Sequence, residues 1–364
     1  MKPANLYSDT PALIAGMLNA VVLAALAAVA YADWIVVTDA SLAYLYVLPI
    51  ALCALVNPLT FTVTLAAICT FLGDVFGPAR DSLYWRMVHN TVHLTSFLIV
   101  GSLVTLIARQ RNRMADVVRE QRDAYEQDLL LAAQVQRRVL PKPLSFPEID
   151  ITGQMTTARL LGGDYYDFFS ISEHLIDIVI ADVSGKGIAA ALLMPSLAVA
   201  LRLRARELEG PAQIIADLNE VLLEITSSST FVTMFYARFN RTTRTLQYTN
   251  AGHNPPLFLS AESRELQQLD KAGGPVLGLL SSAEYTETSI GLGEGDVLLL
   301  YTDGITEQEN PQREEFSVER LADVICRENG ASAARIADHI ADAVTRFAGS
   351  AGQNDDSTIL VLKT

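Results

Sequence analysis

The chain has 364 residues, half of them hydrophobic, with 27 Lys/Arg against 41 Asp/Glu and a formal net charge of −14. An acidic balance of this size argues against nucleic acid as the main partner, because phosphate neutralisation needs a basic face. Three cysteines, Cys53, Cys69 and Cys326, give no disulfide framework or zinc spacing, which fits a reducing compartment for any soluble part. Charge is unevenly spread: residues 1–108 hold only Lys2, Arg80, Arg86 and five acids, so the sequence divides into an apolar block and an acidic block.

Four apolar runs precede residue 110: about Pro11–Tyr31, Ser41–Val56, Leu59–Phe76 and Met87–Ala108. The first is long for a signal peptide, has little basic flank and is followed by further runs, so cleavage is not expected. Arg109, Arg111, Arg113, Arg119 and Arg122 directly follow the fourth run and mark that side as cytoplasmic. Four spans put the N-terminus on the same side; Arg80 and Arg86 then lie outside, offset by Asp74 and Asp81, and three or five spans stay open. His89 and His93, four residues apart on one helix face, fit either a metal or haem ligand pair or plain interhelical hydrogen bonding.

From Arg109 to Leu140 there is neither Pro nor Gly, and Met114, Val118, Tyr125, Leu129, Ala132 and Val139 recur at roughly helical spacing. Such a stripe pairs with a second copy or docks on the next domain; a dimeric signalling helix is the favoured expectation. The expected domains are therefore 1–108 transmembrane, 109–143 linker helix and possible coiled coil, and 144–364 catalytic.

After Phe146 short strands are expected near Ile149–Ala158, Tyr165–Ile171 and Leu175–Asp182. Helices near Gly187–Glu209 and Pro211–Ser227 come next, then strands near Phe231–Phe239, Thr245–Ala251, Pro256–Leu259, Glu284–Ile290 and Asp296–Thr302. Helices near Ser317–Glu328 and Ser332–Ala348 precede a last strand, Thr358–Lys363. Strands in runs with paired helices between them suggest a layered α+β domain, not βαβ repeats.

Acidic residues sit at strand ends: Asp164 after Gly162-Gly163, Asp182 before a Gly turn, Asp303 before Gly304, and Asp355-Asp356 before the last strand. Any one of these fits a turn, but a cluster of like charges is costly unless a cation holds it together, and hard oxygen donors suit Mg²⁺ or Mn²⁺. No G-x-S-x-G or H-E-x-x-H motif is present, and Gly185-Lys186-Gly187 lacks the rest of a phosphate-binding loop. Gly162-Gly163-Asp164-Tyr165 superficially matches the diguanylate cyclase signature but lacks its second acid.

The motifs LGGDYYDFF, ADVSGKGIAAALLM, TMFYARFN, NAGHNPPL, LLLYTDGITE and DDSTILVL, in this order, resemble PPM-type (type 2C) serine/threonine phosphatases of the bacterial SpoIIE/RsbU-like branch. The resemblance runs from about Ala132 to Thr364 and includes the helix AAQVQRRVLP that precedes the domain in that branch. It implies an α-β-β-α sandwich with two Mn²⁺ or Mg²⁺ per site. On this pattern Asp182 bridges the metals, the Val183 carbonyl ligates one, Asp164 is the second aspartate ligand, and Asp303 and Asp355 complete the opposite metal. The implied chemistry is in-line attack by activated water with no phosphoenzyme. Gly163, Gly304, Asp356 and His253 lie in the same motifs, His253 more as a loop-shaping residue than a catalyst. The eukaryotic Asp-Gly-His triplet is Asp182-Val183-Ser184 here, which leaves no evident leaving-group acid, and the phosphate-binding arginine of some eukaryotic members has no evident counterpart. Together with the apolar runs and the arginine flank, this gives the expectation of a membrane-anchored phosphatase in the cell (inner) membrane with a cytoplasmic catalytic domain. The implied substrate is a phosphorylated regulator, such as a STAS-type anti-anti-sigma factor. A non-catalytic receptor or scaffold is the alternative, and retention of all four aspartates speaks against it.

Overall fold

The structure, a computed structural model, describes residues 10–35, 42–76, 82–141, 148–185, 187–226, 229–328 and 330–364. The chain divides into two compact units, Met1–Ala124 and Tyr125–Thr364.

The first unit holds helices α1 (Thr10–Ile35), α2 (Val47–Val56), α3 (Leu59–Phe76) and the first part of α4 (Leu83–Arg137), with a 3-10 turn at Ala43–Tyr46. Three stretches are long and apolar enough to cross a membrane, Ala15–Ile35, Leu59–Phe76 and the helix Leu83–Arg137, whereas the apolar helix Ala43–Val56 is shorter. Large apolar side chains such as Leu23, Phe61, Phe71, Ile99 and Leu106 point outward from these helices. That pattern fits lipid, not water, as the surrounding medium. Arg86 pairs with Asp74 at 2.6 Å; Arg80 and Asp81 lie outside the described residues. The rings of His89 and His93 stand 4.1 Å apart and Tyr44 lies 4.6 Å from His93, a packed aromatic cluster.

Helix α4 continues unbroken past residue 108 for 55 residues in all. Its Met114, Val118 and Tyr125 are exposed, whereas its last turns pack Leu129, Ala132 and Ala133 against Leu161 and Ala191. Of the two partnerships expected of the stripe, docking on the following domain is the one its last turns make. The expected boundary at 143/144 lies outside the described residues.

The second unit is built on two five-stranded antiparallel sheets. One sheet has the order β2-β3-β4-β5-β8, from β2 (Asp164–Ser170), β3 (Leu175–Val183), β4 (Val232–Asn240), β5 (Thr245–Ala251) and β8 (Thr288–Gly291). The other has the order β1-β10-β9-β6-β7, from β1 (Asp150–Thr156), β6 (Leu257–Leu259), β7 (Leu266–Gln268), β9 (Val297–Tyr301) and β10 (Ser357–Lys363). Helices α5 (Ile188–Glu207) and α6 (Pro211–Ile225) cover the first sheet; α8 (Ser317–Arg327) and α9 (Ala333–Ala348) cover the second.

Strand sequences explain these layers. In β3, Ile176, Ile178 and Ile180 face the opposite sheet, while Val179, Ala181 and Val183 face α5 and α6. In β9, Leu298 and Leu300 face inward, while Leu299 and Tyr301 meet α8 and α9. Strands buried on both faces read as largely apolar runs, broken within β3 by the buried Asp177, which is why they stand out in the sequence. Helix α5 has the length and apolarity of a membrane span, but Met194, Leu197, Ala198 and Leu201 bury its inner face on the sheet.

Two expectations need correction. The strand expected over Glu284–Ile290 begins only at Thr288, because Glu284, Thr286 and Glu287 offer no apolar face to pair. Edge strand β7 was not foreseen, since three residues with one apolar side chain carry no alternation. The expected helix end at Ser227 lies outside the described residues.

Candidate metal centre between the sheets

The inter-sheet core changes character at one end. Along the inward faces, Tyr166 and Phe168 give way to Asp164, Ile180 to Asp182, and Phe235 to Thr233. Antiparallel register places Asp164 directly opposite Asp182, and Asp182 opposite Thr233, so the three side chains form one cross-strand row. From the facing sheet, Thr302 and Thr358 donate their hydroxyls to Asp164 Oδ2 at 2.8 and 2.5 Å. Asp164 is buried beneath them.

The remaining donors come from turns. Asp303 opens the single helical turn α7 (Asp303–Thr306), directly after β9. Gly304 is required there, since a Cβ would fall onto the Asp356 carbonyl. Asp355 and Asp356 precede β10. The Asp356 carboxylate accepts from the backbone N–H groups of Ala158 at 2.9 Å and Gly163 at 2.7 Å. Asp355 Oδ1 accepts from the Asp356 N–H at 2.9 Å. Both adjacent acids line the cleft beside Asp182, and Asp356 in addition holds the loop 158–163 through both of its carboxylate oxygens. Gly163 lets the Val183 carbonyl and Asp182 come together: a Cβ there would stand 3.0 Å from that oxygen and 3.4 Å from Asp182 Oδ1.

The electrostatics follow from this crowding. Burial, then the charges of Asp303, Asp355 and Asp356, push the Asp182 carboxyl up to about 7, against a hydrogen bond with Asp164. Burial and then Asp182 raise Asp164 well above the usual carboxylate range, opposed by the Thr358 and Thr302 hydroxyls. Like charges gathered in a half-buried cleft favour a cation. Among the described residues, no three acidic, His or Cys side chains close on a single point as a ligand cage. The donors are hard oxygens around an open cleft, which fits Mg²⁺ or Mn²⁺, ions that keep several waters and need few carboxylates.

Three further residues are placed by the fold. His253 is buried, with Nδ1 2.8 Å from Thr233 Oγ1. Asn250 clasps its backbone, accepting its N–H and donating to its carbonyl at 2.8 and 2.9 Å. Burial lowers its pKa to about 4, the Tyr301 backbone acting the other way, so the ring is neutral at pH 7. Ser184 accepts from the Phe231 N–H at 2.8 Å and is thereby occupied as a backbone clamp. Arg159 is exposed and lines the same cleft as Asp182 and Asp355. Arg159 lies five positions before Asp164, outside the motifs that the sequence singles out.

A four-layer α-β-β-α sandwich with acidic strand ends gathered at one edge of its inter-sheet core defines the PPM class of phosphatases. The SpoIIE (Stage II sporulation protein E) profile matches residues 172–364. Over 285 residues the chain is 30% identical to the phosphoserine phosphatase RsbU of Bacillus subtilis (strain 168), across 77% of this chain and 82% of RsbU. It is 28% identical over 184 residues to the phosphoserine phosphatase RsbP of the same organism, spanning half of this chain and 45% of RsbP. The solved SiaA-PP2C domain of Pseudomonas aeruginosa shares the fold, with a TM-score of 0.60 at 20% identity over 67% of this chain and 98% of that domain. The chain belongs to the SpoIIE family of PPM phosphatases, in the RsbU branch, and is a serine/threonine phosphatase.

Proposed function

We propose that this is a membrane-anchored, divalent-metal-dependent phosphatase of bacterial signalling that hydrolyses phosphoserine or phosphothreonine on a regulatory protein of the STAS anti-anti-sigma type. The observation that carries the reading is the in-register pair Asp164–Asp182, met by Asp303 and Asp355 from the turns of the facing sheet. Asp164, Asp182, Asp303, Asp355 and the Val183 carbonyl would hold two Mn²⁺ or Mg²⁺ ions. When bound, such ions supply charge neutralisation at the phosphoryl oxygens and activation of the attacking water at neutral pH.

The chain's own residues do the rest. Asp182 sits between its neighbours at a raised pKa, poised to exchange a proton for a cation near pH 7. Asp356 fixes the loop that carries Arg159, an exposed cleft-lining residue whose guanidinium would serve the phosphate dianion as a charged hydrogen-bond donor. Ser184 accepts the Phe231 N–H and braces the turn after β3; the leaving-group proton comes from water. The apolar helices of the first unit anchor the enzyme in the cell membrane with the catalytic unit on the cytoplasmic side, and the exposed stripe Met114, Val118 and Tyr125 pairs two copies.

The test uses a fragment starting at about residue 109, assayed on a generic phosphate ester with and without Mn²⁺, beside Asp182→Ala. The expected result is metal-dependent phosphate release that Asp182→Ala abolishes. Release that survives Asp182→Ala would overturn the site assignment.

A further inference from the structure

Gln136 lies on the last turn of α4 and is buried, the only buried polar residue of the helix within the second unit among the described residues. Its amide forms a reciprocal pair with one residue: Nε2 donates to the Gly162 carbonyl at 2.6 Å, and Oε1 accepts the Gly162 N–H at 3.3 Å. Leu129 and Ala133 dock the helix beside it through apolar contact alone; an apolar side chain at position 136 would leave the buried Gly162 N–H and carbonyl unpaired. A buried amide that both donates and accepts fixes direction as well as contact.

What it fixes is the approach to the metal centre. Gly162 is held by Gln136, Gly163 by the Asp356 carboxylate, and Asp164 by Thr302 and Thr358. Three consecutive residues are thus set by three different elements. A Cβ at Gly162 would lie 2.7 Å from Asp356 Oδ2, so the loop has no slack in that direction. We propose that Gln136 is a positioning residue of the phosphatase centre. Its amide clamp on Gly162 sets the Gly163–Asp164 backbone, and makes that setting depend on how the end of α4 is seated. The proposal rests on the metal-dependent phosphatase reading, and names the residue through which the linker helix acts on that site.

The test uses the full-length protein in lipid discs and compares Gln136→Leu, Gln136→Glu and the exposed control Val135→Ala. Hydrogen exchange over residues 158–164 without metal, Mn²⁺ affinity by calorimetry, and kcat and KM on a phosphate ester are read together. Losing the buried pair is expected to speed exchange at Gly162 and Gly163, and to weaken Mn²⁺ binding, by about tenfold each, equivalent to about 1.4 kcal/mol. On the same scale kcat falls about tenfold with KM within about twofold, because substrate contacts are untouched. Gln136→Glu keeps an acceptor for the Gly162 N–H but loses the donor; it moves in the same direction, and decides the matter should Gln136→Leu not fold. Val135→Ala matches the parent. Parent-like exchange and Mn²⁺ affinity in the Gln136 variants would overturn the clamp. An inactive parent would overturn the phosphatase reading instead, and the exchange and affinity comparisons would still decide the clamp.

Discussion

Replacing Asp182 by Asn removes the centre's key carboxylate and should make the metal-free protein more stable. Burial and the neighbouring acids hold this carboxyl up to about 7, against an ordinary value of 3.8. The folded state therefore carries a proton, between about pH 4 and about pH 7, that the unfolded chain has already released. By linkage, metal-free stability falls as pH rises through that window and stays low above it. Three pKa steps at 1.36 kcal/mol each set a ceiling of about 4 kcal/mol, and sharing of the proton with Asp164 brings the expectation to about 2–4 kcal/mol. For a domain of this size that is a rise of about 5–15 °C in melting temperature. Calorimetry of the fragment from about residue 109, in chelator, should show Asp182→Asn melting above the parent at about pH 8.5, by about half as much at about pH 5.5, and close to it at about pH 4. Adding Mn²⁺ at the higher pH should raise the parent and leave the variant unmoved. A variant that melts at or below the parent in chelator at the higher pH would show that the acids do not repel one another in the folded state, and would refute the reasoning.

Arg159→Ala should lower kcat/KM on a phosphate ester by about 10–100-fold while Mn²⁺ affinity holds or tightens, since the variant loses a phosphate contact and a cation beside the metals. Unchanged kcat/KM would remove Arg159 from the reaction. His253 behaves oppositely to Asp182 in acid: its folded pKa is lowered to about 4, so stability present above about pH 6.5 is lost as pH falls towards 4. Between about pH 7 and about pH 5 the parent should lose about 2 kcal/mol relative to His253→Asn, which keeps an atom at the Nδ1 position for Thr233 and does not titrate; parallel pH profiles would show that the ring is not buried neutral.

The layers of the fold were legible because β3, β9 and β10 are buried on both faces and leave long apolar runs, unbroken in Val297–Tyr301 and Ile359–Leu362. The acids were legible because they interrupt those runs at their ends. The partners of the acids were not. Thr302 and Thr358 meet Asp164 across 138 and 194 residues of chain, and nothing local announces that contact. The adjacent Asp355 and Asp356 cannot be told apart by sequence chemistry; only the folded loop shows that Asp356 is occupied by the N–H groups of Ala158 and Gly163. Arg159 sits in a turn without periodicity. The linker stripe was legible as a stripe, yet which of its residues dock on the catalytic unit depends on where Leu161 and Ala191 lie.

Strands β2 and β3 carry two further acids, and the contrast separates structural from functional charge. Asp167 and Asp177 sit on the opposite face of the same sheet, each fully buried with an arginine: Arg202 on Asp167 at 2.7 Å, Arg238 on Asp177 at 2.8 Å. Tyr165 and Tyr236 add hydroxyl donors to the same two carboxylates. Those charges are neutralised within the fold, and removing Arg238 would strand the buried Asp177 at a cost of about 3–5 kcal/mol. On the inner face, Asp164 and Asp182 form no ion pair with Lys or Arg among the described residues; Asp164 has only neutral hydroxyl donors, and Asp182 has other acids around it. A lysine or arginine at Thr302 or Thr358 would relieve the repulsion and strengthen the metal-free sandwich. It would also occupy the charge that a divalent ion needs. On the proposed reading, hydroxyls there leave neutralisation to a cation from solution, so metal loading adds to the stability of that end of the sandwich.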